Sequence, residues 1–148
     1  MSVPTVRRPD ISQLKDLLEV FAVAFDDIES YRSATPSDGY LSKLLEREDF
    51  IPLVAIDVNG RVIGGLAAYV LHKFEQERSE IYIYDLAVDE ANRRRGVATS
   101  LITKLREIAR EMGAWVIYVQ ADPPDEPAVK LYESLGTRED VLHFDIIP

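Results

Sequence analysis

The sequence predicts an α/β sandwich, in which a mixed, largely antiparallel sheet carries helices on both faces. Three observations lead to this fold class. Segments with the alternation typical of strands and segments with a helical period of about 3.6 residues follow one another along the chain. Asn59-Gly60 joins two strand-like segments and favours an antiparallel hairpin. In the second half, a helix separates two strand-like segments, which favours a parallel crossover.

The first half predicts a short strand, "TVRR", followed by two helices. Asp10 and Gln13 have the spacing of a capping box and precede a helix. The apolar face of that helix contains Leu14, Leu17, Leu18, Phe21 and Phe25. Thr35 and Pro36 are the predicted N-cap and first residue of a second helix over "SDGYLSKLLERE".

The hairpin strands are "DFIPLVAIDV" and "RVIGGLAAYVLHKF", and "SEIYIYDLAV" is the next strand. A long amphipathic helix then ends near Gly113, and "WVIYVQAD" is a strand directly after it. "PAVKLYESLG" is a short helix with proline at its start and glycine after its end. "VLHFDI" is expected to close the sheet. Since no repeat or flexible linker interrupts residues 1–148, we expect a single domain.

Composition excludes several classes of function. The 17 basic and 26 acidic residues leave a net charge of -9, which argues against nucleic-acid binding and is compatible with a cationic substrate. The chain has no cysteine, so disulfides and a cysteine nucleophile are excluded. It has only two histidines, and we expect no metal site. Because no signal peptide or membrane-spanning run is recognisable, a cytoplasmic protein without membrane contact is expected.

Arg93, Arg94 and Arg95 precede Gly96 at the predicted start of the long helix. The first turn of a helix has unpaired N–H groups and a positive dipole end, which together bind phosphate oxygens. Glycine lets the backbone approach an anion closely, and arginines add charge. The alternative is a solvated basic turn, but arginine there is unfavourable for the dipole. The stretch therefore favours an anion ligand.

Arg93-x-x-Gly96-x-Ala98 resembles the pyrophosphate loop of the GCN5-related N-acetyltransferases, and the order of strands and helices resembles theirs over nearly the whole chain. Thr137 stands where that family usually has an aromatic residue, which removes only a packing contact. "LAAYVLHKFEQERSEIYIYDLAV" and "GAWVIYVQADPPDEPAVKLYESLG" closely resemble class I aminoglycoside 3-N-acetyltransferases.

The resemblance implies acetyl-CoA as cosubstrate. Strand backbone groups are expected to pair with its pantetheine arm, and N–H groups of the loop with its pyrophosphate. The expected coenzyme-binding residues are Leu86, Ala87, Val88, Arg93, Arg94, Arg95, Gly96, Val97, Ala98 and Thr99.

Without cysteine, direct attack of an amine on the thioester is the simplest route of transfer. The resemblance assigns Tyr132 as the acid that protonates the leaving thiolate. On spacing alone, the interpretation of Tyr132 as a core aromatic whose hydroxyl reaches the surface is favoured, and the resemblance reverses this preference.

Asp85 is the second predicted catalytic residue. Strand alternation places Ile81, Ile83 and Asp85 on one face, with Tyr82 and Tyr84 on the opposite face. A carboxylate that ends an apolar face is costly unless it is paired or functional. We therefore expect Asp85 to bind a substrate ammonium group and to help remove its proton, as the matching aspartate of the resembling enzymes implies. The alternative is an aspartate turned outward at a bulge.

Other carboxylates are expected to contact the substrate, with Asp122 favoured because it directly follows a strand. Most of the acidic loop also stabilises a helix N-terminus, so its role is largely structural. His72 and His143 are interpreted as packing or surface residues. The expected substrate-binding residues are Glu80, Asp85, Asp122, Asp125 and Glu126.

The sequence thus predicts transfer of an acetyl group from acetyl-CoA to the 3-amino group of an aminoglycoside. Two alternatives remain: acetylation of a polyamine or protein N-terminus, and a non-catalytic acetyl-CoA-binding module. The resemblance and the edge strand "VLHFDI" predict a homodimer.

Overall fold

A computed structural model of the protein describes residues 3–148. It is a mixed α/β structure with a mostly antiparallel five-stranded sheet of order β1-β2-β3-β4-β5, and the predicted fold class is confirmed. The strands and helices are β1 (Thr5–Arg7), α1 (Ile11–Ala24), α2 (Ile28–Ser33), α3 (Asp38–Glu46), β2 (Phe50–Ile56), β3 (Val62–Lys73), β4 (Arg78–Val88), α4 (Val97–Met112), β5 (Val116–Val119) and α5 (Glu126–Leu135).

The chain forms two compact units that meet in sequence after Tyr118. The first unit contains the sheet strands β1 to β4, helices α1 to α4 and the greater part of β5. The second unit, Val119–Pro148, contains α5. Asp85 and the loop before α4, which are described below, both lie in the first unit.

Strand β2 is buried at all seven of its residues, so both faces of the sheet are covered. On one face, Val54 packs with Leu14 and Leu17 of α1. On the other face, Leu53 and Ala55 are fully buried, and α4 packs against the sheet with Leu101 and Leu105. The helices therefore lie on both faces, as predicted.

The capping box at the start of α1 is confirmed. The Gln13 backbone N–H donates to the Asp10 carboxylate at 2.8 Å, and the Asp10 N–H donates to the Gln13 side-chain oxygen at 3.1 Å. Leu14, Leu17 and Phe21 are buried, as predicted. Phe25 instead caps the C-terminus of α1 and is 41% exposed.

The predicted start of the second helix at Thr35 and Pro36 is wrong. The Thr35 hydroxyl donates to the carbonyl of Arg32 at 3.1 Å and so closes α2, a short helix that the sequence analysis did not predict. Ser37 is the N-cap of α3, because its hydroxyl oxygen accepts from the Tyr40 N–H at 3.2 Å.

The Asn59-Gly60 turn is confirmed. Gly60 has a φ of +80°, a left-handed conformation that favours glycine. The Asp57 carboxylate accepts from the N–H groups of Asn59 and Arg61, both at 2.9 Å. These bonds fix the register with which β2 and β3 leave the turn.

The predicted strand "VLHFDI" is wrong, because residues 137–148 contain no regular secondary structure. Its alternating apolar residues are exposed: Leu142 by 83%, Phe144 by 77% and Ile146 by 90%. A strand forms only where another strand satisfies its backbone groups, and the alternation by itself does not supply that partner.

Candidate active site

A β-bulge in β4 positions the candidate site. Ala68 of β3 lies opposite Ile83, whereas the preceding residue, Ala67, lies opposite Asp85. Tyr84 is therefore the extra residue of the bulge. Residues that face each other in an antiparallel pair share a face of the sheet, so Ile83 and Asp85 lie on opposite faces. The predicted common face of Ile81, Ile83 and Asp85 is wrong, because the extra residue shifts the alternation by one.

The same bulge brings the tyrosines to the face of Asp85, and the prediction that Tyr82 and Tyr84 lie opposite it is wrong. Tyr82 is the cross-strand partner of Tyr69, which shares the face of Ala67. The Tyr84 ring centroid lies 6.1 Å from that of Tyr69 and 5.7 Å from that of Tyr82. Asp85 thus stands at one end of an aromatic surface.

This surface lines a cavity of about 420 Å³. Its residues, here called the tyrosine wall, are Tyr69, Leu71, Tyr82 and Tyr84. Burial raises the pKa of the Tyr69 hydroxyl, and the negative charge of Asp85 raises it further. Tyr31 of α2 is affected in the same way, first by burial and then by Asp85. The Asp85 charge therefore faces hydroxyls from both β3 and α2.

Asp85 itself is half-buried, and burial raises the pKa of its carboxyl above the ordinary value of 3.8. Within residues 3–148, no basic side chain forms an ion pair with it. A carboxylate in such a place is costly unless a cation or proton reaches it. Although Asp85 does lie beside a bulge, it is not turned outward into solvent.

Glu80 lies on the same face, opposite Leu71 of the tyrosine wall. Its carboxylate is 3.9 Å from the Arg78 guanidinium, so its charge is partly balanced. Two of the predicted substrate-binding carboxylates, Glu80 and Asp85, are thus brought to one face of β4. Of these two carboxylates, only Asp85 has no cationic partner within the part of the chain that the structure describes.

The loop before α4 has the geometry of an anion cradle. Gly96 has a φ of +77°, and the next residue, Val97, begins the helix. A left-handed residue followed by a helical one turns successive N–H groups toward one side. The α4 N-terminus has no side-chain cap and no acidic residue in its first turn. Its N–H groups are therefore open to a ligand.

The three arginines of the loop differ in role. The Arg93 Nε–H donates to the Val88 carbonyl at 3.1 Å and so ties the loop to the end of β4. Arg94 and Arg95 are exposed, and Arg94 has a φ of +62°. For a residue other than glycine, this conformation is strained. The side chains of Arg94 and Arg95, and the Nη groups of Arg93, are available for an anion.

The other predicted coenzyme-binding segment, Leu86, Ala87 and Val88, ends β4. The Trp115 N–H donates to the Ser79 carbonyl at 2.9 Å, and the ring of Tyr118 lies 4.8 Å from that of Tyr82. Three residues further along each strand, the contact has moved from the pair Ser79 and Trp115 to the pair Tyr82 and Tyr118. Because the residue numbers increase together, β5 runs parallel to β4. With four residues, β5 accompanies only part of the 11 residues of β4.

In the second unit, Asp125 is the N-cap of α5 and accepts from the Ala128 N–H at 3.3 Å. Glu126 is the first residue of α5, and the Asp122 carbonyl accepts from the Asp125 N–H at 2.9 Å. These bonds are consistent with the structural role expected for most of the acidic loop. Tyr132 of α5 is half-buried, and its pKa is raised by burial and then by Asp125. Its hydroxyl therefore holds its proton at neutral pH.

The remaining candidates are peripheral. His72 is exposed, and His143 lies on the surface with its Nε2 atom 2.9 Å from the Asp145 carboxylate. In residues 3–148, no cluster of three or more metal-ligating side chains occurs. Nor does this part of the chain contain a helix long and apolar enough to cross a membrane.

Sequence reasoning missed Tyr69, Leu71 and Tyr31 as site residues. Tyr69 and Leu71 are on β3, in a strand whose sequence shows only apolar alternation. The pairing of β3 with β4 and the bulge at Tyr84 bring them to Asp85. No signal within either strand alone specifies that register.

Residues 13–137 match the sequence profile of the Acetyltransferase (GNAT) family, and the chain belongs to this family. Its members normally use acetyl-CoA.

Known proteins of this type resemble the chain closely. An aminoglycoside acetyltransferase from an uncultured soil metagenomic sample is 52% identical, with a TM-score of 0.95 over 100% of this chain and 99% of that one. Another soil metagenomic aminoglycoside acetyltransferase, solved in complex with sisomicin, is 30% identical, with a TM-score of 0.90 over 99% of this chain and 97% of that one.

An uncharacterized N-acetyltransferase of Methanocaldococcus jannaschii is 27% identical over 138 residues. The match includes 91% of this chain and 61% of that protein. The chain therefore spans about three fifths of the length of this relative.

Proposed function

We propose that the protein transfers the acetyl group of acetyl-CoA directly to the 3-amino group of an aminoglycoside and thereby confers resistance. The observation that supports this most is Asp85, a half-buried carboxylate that pairs with no basic side chain of residues 3–148 and shares a face of the sheet with Tyr69 and Tyr82. Such a site suits a cationic ligand that also presents apolar ring surface. The two aminoglycoside acetyltransferases described above, one of them bound to sisomicin, support this choice of substrate.

In this proposal, the α4 N-terminus and its loop bind the pyrophosphate of acetyl-CoA. The open N–H groups from Arg94 to Thr99 supply donors, and the exposed Arg94 and Arg95 supply charge. Backbone groups of Leu86 and Ala87 pair with the pantetheine arm. Arg93 holds the loop to β4 through the Val88 carbonyl.

Asp85 binds the substrate ammonium group and accepts a proton from it, directly or through water. The free amine then attacks the thioester carbonyl carbon, a C–N bond forms, and the C–S bond breaks. A carboxyl whose pKa is raised by burial is a stronger base than an exposed aspartate. The amine must lose a proton before attack, because an ammonium nitrogen has no lone pair.

Tyr132 supplies the proton that the departing thiolate takes up. Its raised pKa keeps the phenol protonated at neutral pH, which a general acid requires. Two protons leave the nitrogen in each cycle, one taken by Asp85 before attack and one lost as the amide forms. One of them returns to the phenolate through solvent and the other passes to bulk water, so Asp85 and Tyr132 both end the cycle unchanged.

We further propose a homodimer in which the exposed segment Val141–Ile147 packs against a second copy. Five of its residues are large and apolar, each at least 67% exposed: Val141, Leu142, Phe144, Ile146 and Ile147. A monomer rarely leaves so continuous an apolar segment in water. The single-domain organisation and the cytoplasmic location remain predictions.

The substrate is tested by a panel of amines. The unmodified protein is incubated with acetyl-CoA and with kanamycin, spermidine or a peptide that has a free N-terminus, and free thiol release is followed. We expect kcat/KM for kanamycin to exceed the others by at least about 100-fold, which corresponds to about 3 kcal/mol of discrimination. A preference for spermidine or the peptide would replace the proposed substrate. Coenzyme binding without turnover of any amine would indicate a non-catalytic module.

A further inference from the structure

We propose that the tyrosine wall holds the ring face of a cationic amino sugar and so determines which of its amino groups reaches Asp85. This inference rests on the proposed function and adds to it the residues that select the substrate. In this arrangement the ring packs flat on Tyr84 and its neighbours, while an ammonium group points along the wall to the carboxylate.

The wall is accessible to a ligand rather than part of the core. Tyr69 is 39% exposed, Leu71 is 41% exposed and Tyr84 is 69% exposed. On the opposite face of the same strand segment, Ile81 and Ile83 are almost fully buried. β4 therefore directs its aliphatic residues inward and its aromatic residues into the cavity. An exposed aromatic cluster of this kind indicates a binding surface.

The rings are held in a fixed arrangement. Tyr69 packs on Phe50, with ring centroids 5.3 Å apart, and Phe50 is buried. Tyr84 stands nearly perpendicular to Tyr69, with an interplanar angle of 84°. Tyr82 is in turn supported edge-on by Tyr118. A ligand that packs on rings already in place loses less conformational entropy than one that must order them.

The apolar wall and the nearby carboxyl together indicate which kind of ligand fits the cavity. The wall offers almost no polar surface, while the Asp85 carboxyl beside it forms no ion pair with any basic side chain of residues 3–148. Tyrosine faces attract C–H groups and cations through their negative quadrupole. A volume of about 420 Å³ lies within the range of small-molecule sites. An amino sugar combines the required apolar ring face with ammonium groups.

The test is the affinity of kanamycin for variants of Tyr84, measured by calorimetry and as KM in the thiol-release assay. Tyr84→Ala removes the ring, and we expect the Kd for kanamycin to rise about 5- to 30-fold, the size of a ring or cation–π contact. Tyr84→Phe keeps the ring and should remain within about threefold of the unmodified protein. The KM for acetyl-CoA should be unchanged in both.

Phe74→Ala is the matched control, because Phe74 is a fully exposed aromatic of the β3–β4 connection outside the wall. It should leave the Kd for kanamycin unchanged. Raising the salt concentration should weaken kanamycin binding by screening Asp85, but the ratio between Tyr84→Ala and the unmodified protein should persist.

An unchanged Kd in Tyr84→Ala would overturn the inference while leaving the proposed function intact. An equal loss of affinity for kanamycin and acetyl-CoA would also overturn it, since the ring would then only support the fold. If the unmodified protein neither binds nor acetylates kanamycin, both the inference and the proposed function fail.

Discussion

At the scale of single residues, Asp85 lowers the stability of the folded protein at neutral pH and is proposed to serve catalysis. Burial raises its pKa, which means that the folded protein disfavours the charged form. The folded-state pKa lies above the unfolded value, so ionised Asp85 costs folding free energy at neutral pH. The free energy of unfolding therefore increases as the pH falls through the folded-state pKa of Asp85, because the carboxyl is then protonated and carries no buried charge. In the proposed function, binding of a cationic substrate offsets this cost at neutral pH.

Asp85→Asn should therefore make the protein more stable and less active. We expect a higher Tm at neutral pH and a kcat/KM for kanamycin that is about 10²- to 10⁴-fold lower. Asp89→Asn is the control, because Asp89 pairs with the Arg61 guanidinium at 3.4 Å. It should leave the Tm unchanged or lower it. A lower Tm in Asp85→Asn would show that the carboxylate is structural.

The pH profile gives a second test at this scale. Catalysis needs ionised Asp85, so kcat/KM for kanamycin should fall with decreasing pH through a value above 3.8, the ordinary aspartate pKa. In Asp85→Asn this acid limb should disappear from what activity remains. If kcat/KM of the variant falls with decreasing pH in the same way as that of the unmodified protein, a group other than Asp85 causes the fall.

Tyr132→Phe tests the general acid. The ring is retained and the donor is lost, so kcat should fall by up to about 10²-fold while the Kd for acetyl-CoA stays close to normal. Tyr118→Phe is the matched control, because Tyr118 is another half-buried tyrosine with a pKa raised by burial. If both variants keep full kcat, solvent protonates the thiolate and Tyr132 is a packing residue.

At the scale of elements, the sequence reveals local features and misses what depends on pairing. The capping box, the Asn59-Gly60 turn and the Gly113 helix end were predictable because each needs only neighbouring residues. The α3 start was misplaced because Ser37 and Thr35 both have cap-forming hydroxyls. The sequence allows a bulge beside Asp85, but its position at Tyr84 could not be foreseen, because one inserted residue shows only in the register against β3.

A prediction at the scale of elements concerns the loop before α4. Both Gly96 and Gly113 have left-handed backbones, with φ of +77° and +72°, and an added Cβ would meet no protein atom at either. Gly96→Val and Gly113→Val should each lose about 1–2 kcal/mol of stability from backbone strain. Only Gly96→Val should weaken acetyl-CoA binding by calorimetry, because only Gly96 borders the anion cradle. Equal affinity in the two variants would refute the phosphate loop.

At the scale of the whole molecule, the fold class followed from the order of periodic segments, while the end of the chain did not. "VLHFDI" has the alternation of a strand, yet Leu142, Phe144 and Ile146 are exposed and the segment has no regular structure. A periodic pattern indicates which residues are apolar enough to be buried. It does not indicate which other segment, or which other chain, packs against them. A second copy is the partner that we propose for this segment.

The proposed dimer predicts a mass of about twice 16.8 kDa by light scattering. Replacing Leu142, Phe144 and Ile146 together by serine should give a monomer, because the apolar contact is removed. Phe74→Ser removes another exposed aromatic and should leave the mass unchanged. A monomeric unmodified protein, or a dimer that persists in the triple variant, would contradict the assignment.

The most direct test of the central claim is NMR spectroscopy of the product formed from kanamycin and acetyl-CoA. Asp85 and the tyrosine wall are proposed to select one amino group, so we expect a single monoacetylated product. Its acetyl group should be on the 3-amino nitrogen of the deoxystreptamine ring, and Asp85→Asn should form it far more slowly. Acetylation at another amino group would contradict the predicted position, and the absence of any acetylated aminoglycoside would contradict the proposed substrate.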